Sequence, residues 1–195
     1  SYSIAHDLRA PLRSVNGFAA LIADEEGEQL SPLARDMFSR ILRSSANMGQ
    51  MITDMLELLR VVRVAFQPQV VDMDAQLRQV IDSLTSDLTS ARIDRAPLPA
   101  VMGDATLLRQ LLSNLLDNAL KYSRHREQPE IVIGFDADRA AFFMRDNGMG
   151  FDMARANKLF GLFQRLHAGS GVPGTGVGLA IVARIVERPV SYTHL

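Results

Sequence analysis

The stretch that decides the fold is LLRQLLSNLLDNALKY, from Leu107 to Tyr122. At 3.6 residues per turn its apolar side chains lie nearly all round a helix, which is typical of a helix buried inside a domain. Asn114, Asn118 and Lys121 interrupt this pattern at helical spacing and fall in one row on one face. Buried amides cost free energy unless they find partners. The row therefore indicates a partner rich in negative oxygen, such as a phosphate chain with its metal; the alternative is asparagines that bond inside the protein.

Composition excludes several classes of protein. The chain has 195 residues, of which 47% are hydrophobic and 22% charged, as in ordinary globular domains. Its net charge of −1 gives no basic field for nucleic acid or an anionic membrane, so we expect no nucleic-acid partner. It has no cysteine, which excludes disulfides and thiolate metal sites and fits a reducing compartment. No apolar run reaches the roughly 18–20 residues of a membrane span.

The first third of the chain is predicted to form a helical hairpin. Apolar residues recur at steps of three and four up to about residue 24, with Pro11 expected to bend or loosen one turn. Ser31 and Pro32 are an N-cap and a first-turn proline, and near-heptad apolar spacing then continues to about Arg63. A lone hairpin has too little core to be stable. We therefore expect two copies to pack as a four-helix bundle, that is, a homodimer.

His6 is the residue of chemical interest in the first helix. It lies roughly 200° around the helix from Ile4 and from Leu8, off the apolar seam, with Asp7 beside it. An ordinary exposed histidine is the alternative. An exposed imidazole next to a carboxylate is nevertheless suited to nucleophilic attack, because the carboxylate can hold one ring nitrogen as N–H and leave the other lone pair outward.

The second part of the chain is predicted to mix helices with short strands. Residues 64–69 form the expected linker, and Asp104 is the expected N-cap of the central helix. Phe160 and Phe163 stand at i, i+3, and we expect both to be ordinary core aromatics. The other predicted elements are a helix over 72–89, a short strand around Ile93, an antiparallel hairpin of 131–135 with 140–144, and a helix over 179–186.

Two glycine-rich stretches in this part are candidate ligand loops. In DNGMG, residues 146–150, the glycines permit a tight turn and close approach of a ligand, and the Asp146 carboxylate can accept from an exocyclic amino group. The alternative is an ordinary turn. HAGSGVPGTGVG, residues 167–178, predicts a mobile loop that ends at a helix N-terminus, where free N–H groups favour anions. Its glycines follow a helix and a loop, which excludes a Rossmann fingerprint.

Taken in order, these motifs resemble those of one known family. SYSIAHDLRAPLRSVNGF resembles the phospho-accepting segment of bacterial sensor histidine kinases, in the style of kinases attached to phytochrome or PAS sensors. The Asn-x-x-x-Asn-x-x-Lys helix, DxGxG, Phe-x-x-Phe and GxGxGL resemble their ATP-binding domain, whose fold is shared with gyrase-type and chaperone ATPases. The resemblance covers nearly all of residues 1–188.

The resemblance implies a role for each matching residue. His6 is the phosphorylated residue and Asp7 its acid–base partner. Asn118 is a magnesium ligand, and magnesium prefers oxygen ligands such as an amide and phosphates. The implied ATP-binding residues are Asn114 beside Asn118, Lys121 on a phosphate, Tyr122 near the adenine, Asp146 on the adenine amino group with Gly148 and Gly150 allowing contact, Gly174, Gly176 and Gly178 closing on the phosphates, and Arg165 as a weaker candidate for the γ-phosphate.

The predicted fold class is α+β. A helical hairpin over residues 1–66, dimerising as a four-helix bundle, precedes a histidine-kinase-type ATP-binding α/β sandwich over 67–188. The implied reaction transfers the γ-phosphoryl group of ATP, with Mg²⁺, to His6 and then to an aspartate of a response-regulator receiver domain. The kinase core is expected to be cytoplasmic, with any membrane attachment through upstream segments outside this sequence.

The sequence departs from the family pattern at two places. Family members often carry Thr or Asn four residues after the histidine, where it is implicated in dephosphorylating the partner protein, and here that position is Ala10. PVSYTHL, residues 189–195, replaces the family's His-Gly-Gly and two further strands, so we expect a non-native tail and a C-terminally truncated sandwich.

Two other functions remain open. A gyrase- or chaperone-type ATPase generally uses a glutamate base on the central helix, whereas the matching positions here hold Asn114 and Asp117. A catalytically impaired dimeric signalling scaffold is the other alternative.

Overall fold

A computed structural model of the chain describes residues 2–25, 29–84, 91–165 and 172–188, with side chains from residue 10 onward. The chain divides into two compact units, Ser1–Arg60 and Val61–Leu195. The predicted tail over residues 189–195 and residues 167–171 of the predicted mobile loop lie outside the described ranges. None of the helices within those ranges is long and apolar enough to span a membrane.

The first unit is built from two long helices. Helix α1 runs over Tyr2–Glu25 with Pro11 inside it, and helix α2 runs over Pro32–Arg63 and continues into the second unit. The predicted N-cap of α2 is confirmed, since Ser31 Oγ accepts the Ala34 N–H at 3.2 Å. The two helices follow each other closely in the chain, and their antiparallel packing as a hairpin stays a prediction.

Most apolar side chains of the first unit are exposed. Among its described side chains the buried ones are Ala19 and Ser45. Large apolar residues at near-heptad spacing on α2 are 36% to 65% exposed: Leu33, Met37, Ile41, Met48, Met51 and Met55. The hairpin of one chain therefore leaves its apolar face largely uncovered.

Within its described residues, the second unit combines a three-stranded sheet, a two-stranded sheet, three α-helices and one 3₁₀ helix. Its elements in chain order are β1 (Gln69–Val71), α3 (Met73–Ser83), β2 (Arg92–Arg95), β3 (Val101–Gly103), α4 (Ala105–Ser123), β4 (Glu130–Asp136), β5 (Ala141–Asp146), a 3₁₀ helix (Met153–Lys158) and α5 (Gly178–Val186). Strand β4 lies between β2, which is parallel to it, and β5, which is antiparallel to it. Strands β1 and β3 pair antiparallel.

The core of the second unit lies around α4. This helix contacts α3, α5, β4 and β5, and Leu116 at its centre is 0% exposed, as are Leu77 on α3 and Ile131 on β4. The prediction of a buried central helix is thus confirmed. Its N-cap is also as predicted: Asp104 Oδ1 accepts the N–H groups of Thr106 and Leu107 at 2.9 and 3.1 Å.

The linker between the predicted domains is tied to the second unit. The Gln67 N–H donates to Asp104 Oδ2 at 3.1 Å, and the Arg188 guanidinium donates to the Val64 carbonyl at 2.8 Å. The starting end of α4 and the residues after α5 therefore both hold this segment.

Several predicted elements are confirmed and others change. The strand around Ile93, the β4–β5 hairpin and the last helix are present, whereas β1 and β3 were not predicted. The helix predicted over 72–89 has its N-cap at Asp72 but ends at Ser83, and residues 85–90 lie outside the described ranges. The expectation of core aromatics is wrong, since Phe160 and Phe163 are 52% and 49% exposed. They lie in a turn after the 3₁₀ helix, where Phe163 has φ +59°, and not on an element that packs against the core.

Candidate active site

The two asparagines of α4 face the start of α5. Asn114 Nδ2 donates to the Gln110 carbonyl one turn earlier at 2.9 Å, which fixes the orientation of the amide. A β-carbon at Gly178, the first residue of α5, would lie 3.0 Å from Asn114 Oδ1 and 3.9 Å from Asn118 Nδ2. The predicted amide row thus meets the helix N-terminus that was predicted as an anion site, where unpaired backbone N–H groups and the helix dipole favour negative charge.

Lys121, the third residue of the row, is paired in the structure. Its ammonium lies 2.5 Å from Asp117 Oδ2, one turn earlier on α4, and the two side chains are 35% and 41% exposed. A pair this exposed is worth about 0–1 kcal/mol. Exchange of the carboxylate for another anion would therefore cost little free energy.

Tyr122 and Asp146 meet at the predicted DNGMG turn. Asp146 ends β5, and its Oδ1 accepts the Gly148 N–H at 2.9 Å, while the Met149 N–H donates to the Tyr122 carbonyl at 3.3 Å. A β-carbon at Gly148 would lie 2.6 Å from both Asp146 Oδ1 and the Tyr122 carbonyl oxygen. Only glycine fits there, which explains the first glycine of the motif.

The glycine loop before α5 is bound to the segment that follows the 3₁₀ helix. The Phe163 N–H donates to the Gly176 carbonyl at 3.0 Å. Gly176 has φ +75°, and a β-carbon there would lie 2.7 Å from the Gln164 carbonyl oxygen, so this position also needs glycine. Arg165 donates from Nη2 to the Val172 carbonyl at 2.5 Å. The Phe-x-x-Phe segment and the glycine loop, which are separate motifs in the sequence, are thus in direct contact.

The remaining predicted glycines are placed as follows. Gly150 has φ +62°, and no atom lies within 4 Å of a β-carbon built there. Gly174 is likewise open to its surroundings at the β-carbon position. Neither position shows the close approach seen at Gly148 and Gly176.

Two residues that the sequence did not single out hold the DNGMG turn. Arg126 donates from Nε to the Asn147 carbonyl at 2.8 Å and from Nη2 to the Gly148 carbonyl at 2.9 Å. The Asn147 amide bonds the backbone of Glu130 and of Gln128 at 3.0 and 2.9 Å. Asn147 stands inside a motif that the sequence did mark, but Arg126 lies in a polar turn that gave no signal.

Two predicted sites remain, the phospho-acceptor histidine on α1 and the magnesium site at Asn118. The helix carries His6 and Asp7, but their side chains lie outside the description, so their roles stay predictions. Within the described ranges no three His, Asp or Glu side chains converge to hold a metal. A magnesium ion at Asn118 would therefore take an amide oxygen and ligand oxygens, which is a donor set that magnesium accepts.

Comparison with known proteins identifies the two domains of the chain. The "His Kinase A (phospho-acceptor) domain" family matches residues 1–62, and the "Histidine kinase-, DNA gyrase B-, and HSP90-like ATPase" family matches residues 103–193. Cyanobacterial phytochrome A of Nostoc sp. is 35% identical over 191 residues, which cover 96% of this chain and 25% of that protein. The chain belongs to the sensor histidine kinases. The methanogenesis regulatory histidine kinase FilI of Methanothrix harundinacea is also 35% identical, over 95% of this chain and 21% of that protein.

Solved structures of sensor histidine kinases have the same fold. Full-length ShkA in complex with AMPPNP superimposes with a TM-score of 0.63 at 26% identity, over 94% of this chain and 39% of that one. The mycobacterial sensor histidine kinase MprB gives a TM-score of 0.53 at 26% identity, over 60% of this chain and 79% of that one. The predicted fold class, a helical region followed by a kinase-type α/β domain, is confirmed. The chain spans about a quarter of the curated relatives above.

Proposed function

We propose that this sensor histidine kinase core transfers the γ-phosphoryl group of ATP to an imidazole nitrogen of His6. The observation that carries the proposal is the meeting of Asn114 and Asn118 with the first residue of α5. Two amides lie beside a helix N-terminus, and a β-carbon at Gly178 would lie 3.0 Å from the Asn114 amide oxygen and 3.9 Å from the Asn118 amide nitrogen. That chemistry suits a phosphate chain with its cation.

Asp146 is proposed to recognise the adenine amino group. Its Oδ1 accepts the Gly148 N–H, and among the described residues no hydrogen bond to its Oδ2 is found. Oδ2 can therefore accept from an exocyclic amino group. Adenine offers such a donor at N6 where guanine offers the O6 acceptor, so ATP is favoured over GTP. Tyr122 lies next to this turn through its carbonyl and is proposed to flank the base, with Gly150 beside it.

The phosphates are proposed to lie along α4 toward α5. The axial distance from Tyr122 back to Asn114 is about 12 Å at roughly 1.5 Å per residue. Lys121 would exchange Asp117 for a phosphate oxygen, and Gly174, Gly176 and Gly178 would close on the chain, with Arg165 near its end. Asn118 would hold Mg²⁺, which supplies charge neutralisation at the phosphates when bound.

The acceptor chemistry needs one lone pair on His6. The nucleophilic ring nitrogen forms the new N–P bond while the bond from phosphorus to the β–γ bridging oxygen breaks, and the electron pair leaves with ADP. Asp7 is proposed to hold the other ring nitrogen as N–H and to stabilise the positive charge that develops on the ring.

The partners of this core are also proposals. The uncovered apolar face of α2 supports a homodimer through the hairpin. A receiver-domain aspartate would take the phosphoryl group from His6. We also propose that the helical hairpin covers residues 1–66, that the ATP-binding domain covers residues 67–188, and that the core is cytoplasmic.

The test is labelling with γ-labelled ATP and magnesium on the chain, on His6→Gln and on the matched control His125→Gln. We expect acid-labile, base-stable label in the chain and in the control, and none in His6→Gln. His125 is an exposed histidine of the second unit, so its variant reports any general effect of losing an imidazole. Equal labelling of His6→Gln and the unaltered chain would reject His6 as acceptor, and nucleotide binding with no label in any of them would favour the scaffold.

A further inference from the structure

We propose that Arg126 is a positioning residue that orients the Asp146 carboxylate for recognition of the nucleotide base. The inference rests on the proposed function of Asp146 and adds a residue that no motif contains. Arg126 follows α4 in a polar segment and is exposed. Its planar guanidinium reaches the DNGMG turn, which lies 21 residues later in the chain.

The guanidinium binds two successive carbonyls of the turn. Nε donates to the Asn147 carbonyl at 2.8 Å and Nη2 to the Gly148 carbonyl at 2.9 Å. The fixed fork of an arginine matches two acceptors at once, which a lysine ammonium cannot do with the same geometry. Two adjacent carbonyls held by one rigid group fix the plane of the peptide that links them.

The opposite side of the turn is held as well. The Asn147 N–H donates to the Glu130 carbonyl at 3.1 Å, and the Asn147 side chain bonds the Glu130 N–H and the Gln128 carbonyl at 3.0 and 2.9 Å. The Met149 N–H donates to the Tyr122 carbonyl at 3.3 Å. The turn is thus hydrogen-bonded to the start of β4 on one side and to the end of α4 on the other. Arg126 binds the two carbonyls of the turn.

These hydrogen bonds determine the orientation of the Asp146 carboxylate. Its Oδ1 accepts the Gly148 N–H at 2.9 Å, so the carboxylate plane follows the orientation of that N–H. The Gly148 peptide in turn shares its orientation with the Asn147 carbonyl that Arg126 binds, because N–H and C=O of one peptide unit are coplanar. Arg126 therefore acts on Asp146 Oδ2, the oxygen proposed to meet the base, through a single peptide plane.

A purely structural role would have a different signature. Arg126 is exposed and contacts a turn whose flanking elements, α4 and β5, are held by the core independently of it. Its loss should leave the melting temperature nearly unchanged. It should weaken nucleotide binding and selectivity, since a carboxylate that no longer points at the base discriminates poorly between amino and carbonyl groups.

The experiment compares Arg126→Gln and Arg126→Lys with the control Arg124→Gln, which removes a neighbouring exposed arginine. The readouts are ATP and GTP affinity by titration, the KM and kcat of His6 labelling, and the melting temperature. For Arg126→Gln we expect a roughly tenfold rise in the Kd and KM for ATP, the size of one lost charge-assisted hydrogen bond. We also expect a smaller ratio of ATP affinity to GTP affinity, a kcat within about twofold of that of the unaltered chain, and an unchanged melting temperature. Arg126→Lys should recover part of the affinity, and Arg124→Gln should match the unaltered chain.

The outcomes separate this inference from the proposed function. If the unaltered chain binds ATP and is labelled on His6 while Arg126→Gln keeps its affinity and its ATP/GTP ratio, the inference about Arg126 is wrong and the function stands. A fall in melting temperature that accounts for the lost affinity would assign Arg126 a structural role and overturn the inference. Absence of ATP binding by the unaltered chain would overturn both.

Discussion

Helices α2 and α4 both carry large apolar residues at helical spacing but differ sharply in the burial of those residues. On α4, Leu107, Leu112 and Leu116 are at most 5% exposed, whereas on α2 Met48 and Met55 are 47% and 50% exposed. Periodicity identifies which face of a helix is apolar, but it does not identify what covers that face. In this protein the cover for α4 is other parts of the same unit.

The difference has a physical cause in the number of neighbours. Two strands and two helices surround α4, each supplying apolar surface. In the described part of the first unit α1 and α2 are the two elements, and a helix pair cannot cover the apolar stripes of both members. The difference indicates that the second unit folds around its own core, and it supports the proposal that the first unit packs against a second copy of the hairpin.

The largest expected effect is on the core around α4. Leu116→Ala should lower the free energy of unfolding of the second unit by about 2–5 kcal/mol, because it removes a fully buried side chain and leaves a cavity. The matched change Met55→Ala should leave that transition unchanged. Urea denaturation of both variants at one protein concentration, followed by circular dichroism, measures this; equal shifts would remove the distinction between the two helices.

The second prediction tests what covers α2. Replacing Met48 and Met55 together by glutamate should raise the dimer dissociation constant at least 100-fold, since four carboxylates would then face each other or apolar surface across the bundle. Arg35→Glu, an exposed change away from the apolar row, is the control and should leave the dimer intact. Sedimentation velocity over a range of concentrations measures the constant. A monomeric unaltered chain would contradict the predicted dimer directly.

Local signals explain what the sequence predicted correctly. Asp104 accepts from N–H groups two and three residues later, and Ser31 accepts from an N–H group three residues later. Each cap can therefore be predicted from a short window of sequence. Helix α4 and the β4–β5 hairpin likewise follow from apolar runs and a turn. These features need no knowledge of distant parts of the chain.

Features that depend on distant pairing were missed. Strands β1 and β3 are three residues each, and Gln69 pairs with Gly103, so neither shows an alternating pattern long enough to detect. The aromatic pair Phe160 and Phe163 was wrongly placed in a core because spacing does not reveal the turn that exposes it.

The candidate site divides in the same way. The row of Asn114, Asn118 and Lys121 is readable on one helix, and the resemblance to the family supplied the rest of the predicted residues. Three contacts could not be predicted from the sequence. They are the approach of the asparagine row to Gly178, the ion pair of Lys121 with Asp117, and the hydrogen bond from Arg126 to the Gly148 carbonyl. Each of these contacts depends on side-chain orientation or on chain segments that fold back from elsewhere.

The smallest expected effect compares two buried serines, one on each helix. Ser45 on α2 is 1% exposed and its Oγ has no hydrogen-bond partner among the described residues, whereas Ser123 on α4 is 0% exposed and its Oγ donates to the Ala119 carbonyl at 2.7 Å. Burying an unpartnered hydroxyl is unfavourable, so Ser45→Ala should leave stability unchanged or raise it by up to about 1 kcal/mol. Ser123→Ala removes a made hydrogen bond and should cost about 0.5–1.5 kcal/mol. Thermal unfolding at fixed protein concentration measures both, and destabilisation by Ser45→Ala would mean that its hydroxyl gains a partner when the second hairpin packs against the first.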